Sequence, residues 1–85
     1  PETEIADPSS VLSLRESGLI QSLDAVYDMA EQQLDCKVLD AKLMVDDSRR
    51  LTYDLRVVTE DGRVRTARYD AGNLNLLSVD DQPFE

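Results

Sequence analysis

The chain reads as an α+β domain: a short N-terminal helix and a longer amphipathic helix packed on one face of a four-stranded antiparallel sheet. Three observations predict this. Apolar residues recur about every 3.6 positions over residues 23–34 and then at every second position after Cys36. Short turns rich in Asp, Ser and Gly separate the alternating stretches, and tight turns join antiparallel neighbours, since parallel strands need long crossovers. Finally, 85 residues with 41% hydrophobic content provide one small core, which a two-layer arrangement of helix on sheet can close.

Residues 1–8, with two Pro and three acids, read as a flexible acidic lead. Ser9 and Ser10 offer an N-cap, because a short side-chain oxygen accepts from the orphan amides of a first turn. Val11, Leu12 and Leu14 follow, and Gly18 stands where a left-handed stop belongs. This predicts a helix near 10–17, too short to be stable unless it leans on the rest. Ser22 caps a better helix near 23–34, with Asp24 in its first turn complementing the helix dipole. Leu23, Val26, Tyr27, Ala30 and Leu34 form its apolar stripe. Asp24, Asp28, Glu31, Gln32 and Asp35 line its other side.

Leu39, Ala41, Leu43 and Val45 alternate with Asp40, Lys42 and Met44, the pattern of a half-buried strand. Asp46-Asp47-Ser48 turns the chain. Leu51, Tyr53, Leu55 and Val57 then alternate with Thr52, Asp54, Arg56 and Val58. Gly62, in Thr59-Glu60-Asp61-Gly62-Arg63, suits a three-residue loop closed by a left-handed residue. That loop predicts Val58 opposite Val64, Arg56 opposite Thr66, Leu55 opposite Ala67, Asp54 opposite Arg68 and Tyr53 opposite Tyr69. A two-residue turn at Asp61-Gly62 would instead set Leu55 against Arg68 on the core face, and a one-residue slip exchanges the two faces. The bulged loop is therefore preferred. Tyr53 and Tyr69 read as a core pair. A last strand, Leu74 to Val79, follows the turn Asp70-Ala71-Gly72-Asn73. The domain is expected over 9–80, with a flexible tail at 81–85.

The order of these features resembles the PepSY domain family. The matching stretches are Leu14-Arg15-Glu16-Ser17-Gly18-Leu19-Ile20, Leu23-Asp24-Ala25-Val26 and Lys37-Val38-Leu39-Asp40-Ala41-Lys42-Leu43. They continue with Tyr53-Asp54-Leu55-Arg56-Val57-Val58-Thr59-Glu60-Asp61-Gly62-Arg63-Val64 and Tyr69-Asp70-Ala71. The chain departs from the family pattern at two places. Asp35-Cys36 stands where Pro-Gly is usual between helix and strand. Asn73 and Leu74 stand where the last turn usually has Thr and Gly, which leaves Gly72 or Asn73 to take a left-handed conformation. The resemblance implies a non-catalytic regulatory module, periplasmic or secreted, that restrains a peptidase or another envelope protein by steric binding. It transfers no catalytic residue. The alternative is a self-associating sensor or scaffold, a homodimer with no peptidase target.

Composition narrows the partners. Acids outnumber bases 18 to 9 and the net charge is −9, which disfavours nucleic acid and anionic membranes. No apolar run approaches the ~20 residues a membrane helix needs. The chain starts at Pro1, which reads as a processed or expressed fragment whose signal peptide is already gone. There is no His, so imidazole bases and His-ligated metals are out of reach. Cys36 is alone; it reads as a packed small hydrophobe, a free thiol or an intermolecular bridge. Asp46-Asp47 and Asp80-Asp81 lack the spacing of a calcium loop, and no cofactor is expected.

The charge is unevenly placed. Residues 49–68 hold six Arg and three acids, whereas residues 1–48 hold three bases and eleven acids. The loop register puts Arg56, Arg68, Val58, Val64 and Lys42 on the sheet face away from the helices, the candidate partner-contact surface. Its charged groups suit either a solvated face with cross-strand pairs or a docking surface. Exposed strand edges offer a second mode, strand addition.

Overall fold

The computed structural model describes residues 3–80, and the tail expected at 81–85 lies outside the described residues. The elements run β1 (Thr3–Glu4), α1 (Pro8–Glu16), α2 (Leu23–Leu34), β2 (Cys36–Val45), β3 (Leu51–Thr59), β4 (Val64–Asp70) and β5 (Leu76–Asp80). The five strands form one antiparallel meander in the order β1-β2-β3-β4-β5.

The sheet therefore has five strands where four are expected. The extra strand comes from the acidic lead: Thr3 pairs with Val45 and Glu4 with Met44. Ile5 N–H then donates to Leu43 O at 2.8 Å. A two-residue strand is built from main-chain bonds alone, so no side-chain alternation announces it.

α1 also begins earlier than expected. Asp7, not Ser9 or Ser10, is its N-cap: Asp7 Oδ1 accepts from Ser9 N–H at 3.1 Å and Pro8 opens the first turn. Asp followed by Pro combines a carboxylate acceptor with a preset φ, a stronger start than either Ser. At its far end Gly18 N–H bonds to Arg15 O and Leu19 N–H to Leu14 O, with Gly18 at φ 80°. This is the double bond pattern of a Schellman stop. α1 buries none of its residues completely; Val11 and Leu14 lean on the core.

α2 occupies its expected span. Ser22 Oγ accepts from Ala25 N–H at 3.2 Å, and Val26 and Ala30 are fully buried. It ends on Asp35 in the left-handed conformation, φ 47° and ψ 49°, so Asp35 takes the backbone state that a glycine ordinarily supplies.

The central register is the one the bulged loop predicts, from Val58 opposite Val64 to Tyr53 opposite Tyr69. Thr59 N–H donates to Arg63 O, Gly62 N–H donates to Thr59 O, and Gly62 has φ 81°. The β2–β3 hairpin has the same loop, with Asp46 N–H donating to Arg50 O and Arg49 N–H to Asp46 O. There Arg49, at φ 62°, stands in the place Gly62 occupies in the other loop.

Leu43, Tyr53, Leu55, Val57, Ala67 and Tyr69 form the sheet half of the core, closed by Ile20, Val26 and Ala30. Both buried phenols are satisfied: Tyr53 Oη donates to Gln21 O at 2.5 Å and Tyr69 Oη to Gln33 Oε1 at 2.8 Å.

The last turn differs from expectation. Neither Gly72 nor Asn73 is left-handed; Leu74 is, at φ 60°, and it is buried. Asp70 organises this turn: its Oδ1 accepts from Gly72 N–H at 2.8 Å and Asn73 N–H at 3.1 Å. β5 consequently starts at Leu76 rather than Leu74. Gly72 has little room for a side chain, since a Cβ there would lie 3.3 Å from Asp70 Oδ1 and 3.4 Å from Leu19 O. Gln21 ties the interhelix link to the same turn, its N–H donating to Ala71 O at 2.7 Å and its Nε2 to Gly72 O at 3.1 Å.

Candidate sheet-face binding site

Tyr53, Leu55 and Val57 of β3 and Ala67 and Tyr69 of β4 enter the core, so the even residues beside them point to the opposite face. The register gathers Lys42, Arg56, Val58, Val64 and Arg68 there, as the loop geometry predicts. They stand in cross-strand rows. One row runs Lys42, Asp54, Arg68, Ser78, and the next runs Asp40, Arg56, Thr66, Asp80. A third holds Lys37, Val58 and Val64.

The face is therefore not a plain arginine patch. Arg68 is engaged by Asp54 through two bonds, Nε to Oδ1 at 2.9 Å and Nη2 to Oδ2 at 3.0 Å. The Asp54 side chain is 13% exposed and that of Arg68 35%. A forked, partly shielded pair of this kind contributes about 1 kcal/mol, toward the upper end for surface pairs. Arg56 is exposed, as are Asp40, Ser78 and Asp80, while Lys42, Val58 and Thr66 are half-buried. Asp70, at the end of β4, is bonded by Arg50 Nε at 3.1 Å.

Asp40 and Asp80 belong to the face but are absent from the sequence-derived set. Asp40 lies two residues before Lys42 on β2 and shares its face by the same alternation, opposite Arg56. Asp80 follows from a bulge between Arg68 and Tyr69 that shifts the β4–β5 register. Thr52 is 4% exposed, and its Oγ1 has no hydrogen-bond partner among the described residues.

The helix side carries a cleft of about 230 Å³, lined by Ile5, Val11, Leu23, Leu43 and Tyr53 together with Glu4 and Lys42. Its lining is mainly aliphatic, with the Tyr53 hydroxyl already spent on Gln21 O. Among the described residues no three metal-ligating side chains converge, and no helix is long and apolar enough to cross a membrane.

The displaced titrations move away from neutrality. Burial pushes the phenols of Tyr27, Tyr53 and Tyr69 up. Burial, then Glu31 and Asp35, pushes the Cys36 thiol up; its Sγ lies 3.6 Å from Ala30 O. A bond from the Thr59 hydroxyl holds Asp61 down. At Asp70 burial raises the pKa, but bonds from Gly72, Asn73 and Arg50 outweigh it and the net direction is down. These shifts favour neutral phenols and a neutral Cys36 thiol in the interior and charged carboxylates at Asp61 and Asp70. No family model, no curated protein and no solved structure matches the chain.

Proposed function

We propose that this protein is a non-catalytic binding module of the PepSY kind. It acts in the periplasm or outside the cell and restrains a peptidase or another envelope protein by docking on it with the open face of its sheet. The observation that carries this reading is that face: two adjacent cross-strand rows that gather Lys42, Asp54 and Arg68 beside Asp40, Arg56 and Asp80, with Asp40, Arg56, Ser78 and Asp80 exposed. Support for the family comes from the order of its features: a helix, a strand, a second strand that carries Tyr53, the Gly62 hairpin and a closing strand entered through Asp70-Ala71. Blocking is steric, and the module contributes no reacting group.

The test uses Arg56→Ser/Arg68→Ser. The wild-type chain, immobilised at low ionic strength, is expected to retain a peptidase from envelope extract and to slow its turnover when added back. The double variant is expected to lose both effects. Equal retention and equal inhibition by the variant, or inhibition by neither, overturns the reading.

A further inference from the structure

The open face is complementary to itself. Read from β2 to β5, the first row carries the signs plus, minus, plus, neutral at Lys42, Asp54, Arg68 and Ser78. The second carries minus, plus, neutral, minus at Asp40, Arg56, Thr66 and Asp80. Wherever both rows are charged, at β2 and β3, the second inverts the first.

We propose that this face pairs with the same face of a second copy, about a two-fold axis that crosses the strands between the two rows. This rests on the reading of the open face as the binding surface, and it names a second copy as an occupant. The axis lays each strand over its own counterpart and exchanges the rows. Lys42 then meets Asp40 of the second copy, Asp54 meets Arg56, Arg68 meets Thr66 and Ser78 meets Asp80. Each contact occurs twice, as an isologous interface requires. No like charges are opposed in the two central rows.

Other placements fail the same test. An axis lying on the first row opposes Lys42 to Lys42, Asp54 to Asp54 and Arg68 to Arg68. An axis running along the strands between β3 and β4 opposes Asp40 to Asp80. Two sheets stacked with their strands nearly aligned is an ordinary packing. Opposition comes from the long-range repulsion of two chains of −9, which ~0.15 M salt screens beyond about 8 Å.

The experiment is sedimentation equilibrium in ~0.15 M salt on the wild type, Asp40→Lys and Lys42→Asp, with circular dichroism to verify each fold. The wild type is expected to dimerise reversibly. Each variant alone opposes two pairs of like charges per dimer and is expected to weaken self-association about tenfold. An equimolar mixture of the two restores opposite charges at each contact and is expected to form a heterodimer near wild-type strength. If either variant fails to fold, Arg56→Glu, which sets a new carboxylate against Asp54 of the second copy, is expected to weaken the dimer alike. A wild type that stays monomeric, variants that dimerise as it does, or a mixture no tighter than its components overturns the proposal. A monomeric wild type whose peptidase binding still depends on Arg56 and Arg68 would overturn this pairing and leave the function proposed above intact.

Discussion

Thr52 and Asp70 stand side by side in the β3–β4 register and treat their polar groups in opposite ways. Thr52 keeps a buried hydroxyl without a partner among the described residues, which forfeits the desolvation free energy of that group. Thr52→Val keeps the shape and the β-branch, and it is expected to raise unfolding free energy by about 1 kcal/mol in urea melts. Asp70 uses its carboxylate on two backbone amides and Arg50. Its folded pKa lies below the ordinary carboxylate value, so the folded state favours the charged form. The stabilisation is complete above the unfolded value near pH 4 and is lost as pH falls through the lower folded one. The advantage of wild type over Asp70→Asn is therefore expected at about 1–2 kcal/mol near neutrality. It should shrink on acidification to about pH 2. Urea melts at the two pH values check it, and an advantage constant with pH would contradict it.

The two hairpins are an internal comparison at the scale of elements. Both loops place one residue in the left-handed region, Arg49 in the first and Gly62 in the second. An L residue there is strained by about 1 kcal/mol, and glycine is not. Arg49→Gly is expected to stabilise the chain by about 0.5–1 kcal/mol. Gly62→Ala is expected to destabilise it by about 1 kcal/mol; no atom lies within 4 Å of the added Cβ, so the cost is backbone strain alone. Thermal melting of the pair checks both signs. Asp35 closes α2 under the same strain, and its carboxylate also adds to the acidic surroundings of Cys36.

The whole molecule is a charge-layered plate. α2 turns Asp24, Asp28, Glu31 and Asp35 to solvent, while the far side of the sheet alternates signs. The charge is therefore uneven, acidic along the helix and mixed in sign on the opposite side. This asymmetry makes the salt response diagnostic: partner binding by the open face is expected to weaken as salt rises from low to moderate concentration, with on-rates measured by surface-immobilised chain. A salt-independent on-rate would contradict docking by that face.

How much of this was legible follows from which forces are local. Periodicity and turn chemistry determined α2, the central hairpin and its register, because apolar alternation and one positive-φ glycine act within a few residues of each other. They also placed Arg56, Arg68, Val58, Val64 and Lys42 on one face. Tertiary structure alone decided the rest. β1 exists because main-chain groups of Thr3 and Glu4 meet those of Val45 and Met44, a contact with no side-chain signature. Leu74 takes a conformation disfavoured for its residue type because Asp70 cross-braces the turn and the core accepts the side chain. Asp80 joins the face through the bulge that shifts the β4–β5 register. The resulting alternation of charge belongs to several strands at once, and no single segment of the chain carries it.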